Sequence, residues 1–158
     1  MNAPILDERE LAEALAKERA AGKSVAFANG CFDVLHVGHI RYLQDAASEA
    51  DVLVVGVNGD ESVRELKGAG RPVMSEAERA ELISAIRGVS YVTIFHDRSP
   101  GRLIGDLRPD VHCKGTDYTA DSVPEAEIVR SYGGRVAIVG DAKEHSTSEM
   151  LRRMKAEG

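Results

Sequence analysis

The arrangement of apolar residues along the chain is the feature that most restricts its fold. Short runs rich in Val and Ile alternate with longer segments in which apolar residues recur with the period of a helix. Continuous apolar runs are typical of strands buried on both faces, and the intervening segments are long enough for the helices that connect parallel strands. The pattern therefore predicts an α/β fold in which helices cover both faces of a parallel sheet.

Five segments are predicted to form the strands of this sheet. They cover Ser24–Ala28, Asp51–Val57, Tyr91–Phe95, Asp110–Lys114 and Arg135–Val139. The connecting helices are predicted at Gly38–Glu49, Ser75–Ile86, Pro100–Leu107 and Pro124–Tyr132. Because crossovers of this kind are right-handed, the expected architecture is one doubly wound domain.

Three further segments complete the predicted organisation. An opening helix at Asp7–Ala20 ends near Gly22, so residues 1–22 are expected to be a packing appendage to a domain formed by residues 23–158. The stretch Leu66–Met74 is rich in glycine and has no periodicity, which predicts a mobile loop. The hydroxyl run Ser146–Ser148 predicts the start of a final helix.

Composition excludes several classes of protein. The net charge is −6, so the protein is not expected to have a broad positively charged surface that binds nucleic acid. Any site for an anion must be local. No apolar run reaches the roughly 18 residues of a membrane span, and the charged N-terminus does not resemble a signal peptide, so a cytoplasmic protein is expected. Cys31 and Cys113 form no CxxC pair and are predicted to be reduced thiols.

The segment from Asn29 to His39 carries the strongest chemical signal. It reads N-G-C-F-D-V-L-H-V-G-H and runs from the first strand into the first connecting helix, where ligands bind in doubly wound sheets. Gly30 allows close approach of the backbone to a ligand, and free N–H groups at a helix start favour phosphate. His36 and His39 share one side of a turn, and Gly38 between them leaves space for an anion. The motif therefore predicts a phosphate clamp that stabilises charge on an α-phosphate and on departing pyrophosphate, with imidazolium or neutral N–H donors.

Other interpretations of the histidine pair stay open at this point. His36 could cap the helix while His39 packs against the sheet. A zinc site would need a third ligand, and no HExxH or CxxC motif supplies one, so no protein-bound metal is predicted. Gly68-Ala69-Gly70 lacks the third glycine of a dinucleotide fingerprint and does not follow a strand.

The motif resembles that of the HxGH nucleotidyltransferases, and its N-G-C-F-D-x-L-H-x-G-H form looks like the adenylyltransferase domains of ADP-heptose synthases. The resemblance extends over Val25–Met154. Further matching blocks follow in order at Asn58–Ser62, Leu66–Gly68, Arg71–Val73, Glu78–Arg79, Val111–Tyr118 and Ser146–Ser148. The implied fold is a Rossmann-like, doubly wound five-stranded parallel sheet of order 3-2-1-4-5.

The resemblance also implies roles for individual residues. The implied catalytic residues are His36, His39, Lys67 and Arg79. The implied nucleotide contacts are Gly30, Cys31, Phe32, Asp33, Gly38, Asp60, Gly115, Asp117, Ser146, Thr147 and Ser148, with Asp33 holding its loop and Asp117 near the ribose. Arg71 is implied to bind the sugar phosphate. A solvated basic loop would also explain Lys67 and Arg71, an N-cap would explain Ser146 and Thr147, and His96, His112 and Cys113 are predicted to be structural.

The activity implied by the resemblance is transfer of AMP from ATP, with Mg²⁺, to D-glycero-β-D-manno-heptose 1-phosphate. The implied partners are ATP, a sugar 1-phosphate and a second copy of the chain in a homodimer. Asp141–Glu144 does not match the R-T-E-G run of glycerol-phosphate cytidylyltransferases, which favours ATP over CTP. His145 stands near the position where the resembling domains carry a glycine, and it is a candidate contact for the base.

Three alternative functions remain at this stage. The first is a cytidylyltransferase acting on glycerol 3-phosphate or a similar small phosphate ester. The second is a nucleotide-binding protein without transferase activity, which the intact histidine pair disfavours. The third is a redox dinucleotide binder, which the missing glycine fingerprint disfavours.

Overall fold

A five-stranded parallel sheet organises the molecule in the computed structural model, which describes residues 1–141 and 151–155. Strands β1 to β5 cover Val25–Gly30, Val52–Asn58, Tyr91–Phe95, Val111–Lys114 and Arg135–Ile138. Helices α1 to α6 cover Glu8–Ala20, Val37–Ala47, Asp60–Lys67, Glu76–Ser84, Gly101–Leu107 and Ala126–Ser131. Residues 151–155 are also helical. Each strand and connecting helix predicted from the sequence is confirmed, with ends displaced by up to two residues.

The strand order is β3-β2-β1-β4-β5, as the resemblance implied. The central strand β1 pairs with β2 on one side, where Val25 faces Val52, and with β4 on the other, where Ala26 faces Val111. Chain connections therefore leave β1 and β4 in opposite directions across the sheet. In folds of this class the crevice at the carboxyl ends of two such strands is where ligands bind.

Two buried clusters lie on opposite faces of the sheet. We call the face covered by α2 and α4 the α2 face, where Leu43 and Ile83 are fully buried. We call the other the α5 face, which is covered by α1, α5 and α6 and buries Ile104. Strand residues alternate between the two clusters, as Val54 on the α5 face and Val55 on the α2 face show. Of the helices in the described part of the chain, none has the length and apolar character needed to cross a bilayer.

The N-terminal segment packs on this core. Leu11 and Leu15 of α1 are fully buried on the α5 face. Just before α1, the N–H of Leu6 donates to the carbonyl of Val92 at 2.8 Å, and the N–H of Val92 donates to the carbonyl of Pro4 at 3.0 Å. The segment therefore covers the open edge of β3 and satisfies its main-chain groups.

Helix α3 was not predicted, and it shortens the expected mobile loop. It begins at Asp60 and ends at Lys67, and it buries only Ser62 and Val63. So few apolar residues leave no readable helical period, which explains why the sequence did not show it. The irregular segment begins instead at Gly68, whose φ of +98° places it in a region that favours glycine. The predicted start of the final helix, Ser146–Ser148, lies outside the described residues.

The burial of α1 generates a stability prediction. Leu11→Ala removes a fully buried side chain, so we expect the free energy of unfolding to fall by about 2–5 kcal/mol. Leu82→Ala is the matched control, because Leu82 is 43% exposed and its loss should cost less than about 1 kcal/mol. Urea denaturation followed by circular dichroism measures both values. Equal effects would show that α1 lies at the periphery of the fold.

Candidate active site

A cavity of about 600 Å³ opens at the carboxyl ends of β1, β2 and β4, a size that suits a nucleotide or sugar phosphate. Nine of the residues predicted for the site line it: Gly30, Cys31, Phe32, Asp33, His39, Lys67, Arg71, Gly115 and Asp117. They come from the β1–α2 loop, α2, the α3–α4 segment and the β4–α6 loop. The fold thus brings together residues that are up to 87 positions apart, from Gly30 to Asp117.

Gly30 and Phe32 shape the β1–α2 loop. Phe32 has a φ of +50°, which turns its ring back over Gly30. A Cβ atom on Gly30 would lie 3.0 Å from that ring, so a larger residue there would press against Phe32. Gly30 also lines the cavity, as expected of a residue that lets a ligand approach the backbone. The same ring packs edge-on against His39, with centroids 5.6 Å apart.

The two histidines are held by main-chain hydrogen bonds at the start of α2. The Nδ1 atom of His36 accepts a hydrogen bond from the N–H of Gly38 at 3.1 Å, and Nδ1 of His39 accepts one from the N–H of His36 at 3.2 Å. The rings stack with centroids 4.0 Å apart. Because each Nδ1 is an acceptor, each neutral ring carries its proton on Nε2. For His39, the main-chain hydrogen bond and phosphate binding are therefore compatible, since the bond uses Nδ1 and the proton is on Nε2.

His39 is the member of the pair that lines the cavity, whereas His36 stacks against it. The pKa of His39 is lowered from 6.5 to about 4, mainly by burial and to a smaller degree by the neighbouring His36. His39 is therefore neutral at physiological pH. Of the two forms that the sequence left open, the structure selects the neutral N–H donor for this residue.

Asp33 fixes the segment that follows α3. Its buried carboxylate accepts hydrogen bonds from Nε of Arg71 at 2.6 Å and from the N–H groups of Val73 and Met74. Burial alone would raise the pKa of Asp33, but the bonds from Arg71 and the main chain hold it below its usual range. The ion pair fixes the guanidinium of Arg71 at the cavity wall.

Arg79 lies behind the cavity, not in its wall. Its side chain is fully buried, and its guanidinium donates to the carbonyls of Cys31, Asn58 and Met74 at 2.6–3.0 Å. It also donates to the carboxylate of Asp60 at 2.8 Å. The sequence interpretation placed Arg79 against the phosphates and Asp60 against the nucleotide. The structure instead shows them paired with each other, because three main-chain carbonyls and one carboxylate surround the guanidinium.

The other predicted residues occupy varied positions. Lys67 lines the cavity from the last turn of α3, and not from a loop as expected. Gly38 contributes the N–H that His36 accepts. His145, Ser146, Thr147 and Ser148 lie outside the described residues. Cys31 and Cys113 are free thiols, as predicted, and burial raises the pKa of Cys113 to about 12.

Several cavity residues were not identified as site residues from the sequence. Asn58 and Lys114 end β2 and β4, and Asn29 is the last residue but one of β1, so the rule that ligands bind at carboxyl ends could have found them. Tyr42 and Glu125 reach the cavity from α2 and from the start of α6, where no local signal marks them. The remaining unpredicted lining residues are Leu66, Arg98, Ser99, Pro100, Tyr118 and Pro124.

Comparison with known proteins agrees with this geometry. The family model described as cytidylyltransferase-like matches residues 27–155. The chain belongs to the cytidylyltransferase-like family. The matched residues include the whole histidine motif and every strand from β2 to β5, so this cytidylyltransferase-like region contains the cavity.

Relatives of this cytidylyltransferase-like chain include two larger proteins. The bifunctional protein HldE of Geobacter metallireducens is 49% identical over 144 residues, which cover 91% of this chain and 29% of that protein. Bifunctional protein HldE of Pseudomonas paraeruginosa is 41% identical over 154 residues, which cover 98% of this chain and 32% of the relative. The chain thus spans about a third of the length of these relatives.

A solved structure shares the fold. It is the lipopolysaccharide core biosynthesis protein from Thermoplasma volcanium, with a TM-score of 0.65 and 28% sequence identity. The match covers 77% of this chain and all of that one. This solved structure gives independent support for the fold that the strand order indicates.

The lowered pKa of His39 generates a pH prediction. Because the folded-state pKa lies below the unfolded value of 6.5, His39 contributes stability that is present above pH 6.5 and lost as pH falls toward 4. We expect the His39 ring signals in NMR spectra to show no titration between pH 5.5 and 8. His39→Gln should reduce the loss of stability between pH 6.5 and 4 in urea titrations. A midpoint near 6.5 for His39 would contradict the neutral-donor assignment.

Proposed function

We propose that the protein is an adenylyltransferase that transfers AMP from ATP to D-glycero-β-D-manno-heptose 1-phosphate, giving ADP-heptose and pyrophosphate. The observation that carries this proposal is His39, whose Nδ1 is used by the main chain so that its Nε2–H is the donor side of the ring, in a cavity that also holds Lys67, Arg71 and Lys114. The relatives named HldE and the resemblance of the motif to ADP-heptose synthases favour this substrate pair.

The proposed reaction is a direct displacement at phosphorus. A phosphate oxygen of the sugar 1-phosphate forms a bond to the α-phosphorus of ATP, while the bond from that phosphorus to the bridging oxygen of pyrophosphate breaks. No covalent enzyme intermediate is required. The protein then contributes by positioning both substrates and by stabilising the negative charge that develops on the phosphates.

The cavity residues divide this work. Nε2–H of His39 donates to an α-phosphate oxygen, and His36 supports it by stacking against its ring. Lys67 and Arg71 provide positive charge for the phosphate oxygens from the segment at the end of α3 and beyond it. Asp33 keeps Arg71 in place, and Arg79 keeps the loops that form the wall together.

Mg²⁺ enters this scheme with ATP. Among residues 1–141 and 151–155, no group of three or more His, Cys, Asp or Glu side chains is arranged to hold a metal ion. An ion carried by the triphosphate would neutralise part of the phosphate charge. The homodimer and the cytoplasmic location stay predictions of the sequence.

The first test is pyrophosphate release by the purified protein with Mg²⁺ and heptose 1-phosphate, with ATP and CTP compared in parallel. We expect release with ATP at a rate at least tenfold above that with CTP. Preferential use of CTP would identify a cytidylyltransferase. Binding of ATP without release in the presence of any sugar phosphate would identify a nucleotide-binding protein without this activity.

The histidine pair gives a second prediction. His36→Ala and His39→Ala should each lower turnover on the order of 10²–10³-fold, as loss of one transition-state donor does. His96→Ala is the control, because His96 is exposed and lines no part of the cavity. Thermal melting confirms that each variant is folded. Near-normal turnover in both folded alanine variants would overturn the mechanism.

A further inference from the structure

One cation in the cavity lining has no part in the mechanism described above. Arg98 reaches the cavity from the loop between β3 and α5, next to Ser99 and Pro100. Its side chain is 67% exposed, so the packing of the core does not require arginine at this position. The loop itself was not predicted to contribute to the site.

The loop that carries Arg98 is fixed at both ends. The carboxylate of Asp97 accepts a hydrogen bond from Nε of Arg102 at 2.8 Å, which ties the start of the loop to α5. Pro100 is buried at the other end, where α5 begins. The Arg98 side chain therefore extends to the cavity from a backbone that is held in place.

A single carboxylate holds one edge of the Arg98 guanidinium. Nε of Arg98 lies 3.5 Å from Oε2 of Glu65 on α3. Its two Nη nitrogens form no hydrogen bond within the part of the chain that the structure describes. Arg71 is held in the same way, since its Nε donates to Asp33. In both arginines the outer edge of the guanidinium is left, and its planar fork of N–H groups matches two oxygen atoms of a phosphate.

Positive charge on the α3 side of the cavity is only partly neutralised. Lys67 forms no ion pair with another described residue. Arg98 pairs only with Glu65, which is 56% exposed and is not part of the lining. Glu65 is two residues before Lys67, so the ion pair brings Arg98 to the helix that carries this lysine. Exposed ion pairs are weak and screened by salt, so the one between Glu65 and Arg98 does not prevent the guanidinium from binding a phosphate.

The strand order separates Arg98 from the expected nucleoside contacts. Gly115 and Asp117 follow β4, whereas Arg98 follows β3, and these two strands lie on opposite sides of β1 in the sheet. His39 lies on the helix that follows β1. With the ribose near Asp117 and the α-phosphate at His39, the other phosphoryl groups of the two substrates fall on the side of the cavity that holds Lys67 and Arg98.

We propose that Arg98 is a substrate-binding residue whose Nη groups donate hydrogen bonds to a phosphoryl group other than the α-phosphate. Two sources carry this chemistry, namely the triphosphate tail of ATP and the phosphate of the sugar 1-phosphate. Glu65 holds the guanidinium through Nε and leaves the outer edge for that group. This inference rests on the proposed function, which supplies the two substrates.

The test compares Arg98→Gln and Arg98→Lys with the matched control Arg64→Gln. Arg64 is 60% exposed, pairs with Glu61 on α3 and does not line the cavity. Calorimetric titration gives the Kd of ATP with Mg²⁺ and the Kd of AMP, and steady-state pyrophosphate release gives KM for heptose 1-phosphate. Thermal melting confirms that each variant is folded.

We expect Arg98→Gln to raise either the Kd of ATP or the KM for heptose 1-phosphate about 10-fold, the loss typical of a hydrogen bond between charged groups. The Kd of AMP should change less than twofold, because AMP has only the α-phosphate. Arg98→Lys should recover part of the loss, since lysine keeps the charge but not the fork. Arg64→Gln should change none of the three values.

The substrate that is affected identifies the source of the phosphoryl group. A loss for ATP without a loss for AMP assigns Arg98 to the triphosphate tail, and a raised KM for heptose 1-phosphate assigns it to the sugar phosphate. Either result supports the inference. Three unchanged values in folded Arg98→Gln, or equal losses for ATP and AMP, overturn it. If Arg98→Gln does not fold, Arg98→Lys decides by the same comparison.

Glu65→Gln separates a phosphate contact from a purely structural ion pair. This variant removes both a support of Arg98 and a competing anion, so we expect each value to change less than threefold. A loss as large as that of Arg98→Gln would show that the ion pair acts only by holding the loop, and it would overturn the inference.

Activity of the wild-type protein separates the inference from the proposed function. Wild-type protein that binds ATP but releases no pyrophosphate with heptose 1-phosphate overturns the proposed function, and the titrations then decide the inference alone. In that case a loss for ATP without a loss for AMP in Arg98→Gln supports it, and any other result overturns it. Wild-type protein that binds neither nucleotide overturns both.

Discussion

The buried guanidinium of Arg79 is the interaction on which the candidate site depends. It binds the carbonyl of Cys31 after β1, the carbonyl of Asn58 at the end of β2 and the carbonyl of Met74 before α4, together with the carboxylate of Asp60. Main-chain carbonyls at the ends of parallel strands lack partners, and a buried charge needs several acceptors. The Arg79 side chain donates to these carbonyls, and the same carbonyls and the Asp60 carboxylate surround its charge with acceptors. It therefore holds the cavity wall in one shape. A residue that resembles a phosphate ligand in sequence therefore acts as the support of the loops.

The histidine motif shows how one side chain can serve structure and chemistry together. The Nδ1 atoms of His36 and His39 accept main-chain hydrogen bonds that start α2, and this fixes the proton on Nε2 of each neutral ring. Burial keeps His39 neutral by lowering its pKa to about 4. The donor for phosphate is thus preorganised by helix capping, which reduces the reorganisation needed when charge develops. Asp33 acts in the same way on Arg71, because it fixes the guanidinium before any substrate binds.

Most of the fold could be predicted from the sequence, and the exceptions have physical causes. The buried strands form continuous apolar runs, so all five were found, and the strand order followed from the family resemblance. Helix α3 escaped prediction because it buries only Ser62 and Val63. The packing of α1 could not be predicted in detail, because Leu11 and Leu15 show a helical period but do not show which surface they cover. The turn of Phe32 over Gly30 could not be predicted, because it depends on a positive φ at Phe32 that no residue type indicates.

The sequence by itself determined the α/β class, the place of the cavity at the end of β1 and the histidine motif that contributes His39 to its lining. These are local properties, since periodicity reports burial and a motif of eleven residues spans one loop and one helical turn. Only the tertiary structure decided that Arg79 lies behind the wall, that His39 is neutral and that His112 and Glu125 meet beside the cavity. Such features depend on burial and on which distant elements the crossovers bring to one sheet edge. A local sequence pattern predicts neither the burial of these residues nor the meeting of distant elements, because both arise from contacts between residues far apart in the chain.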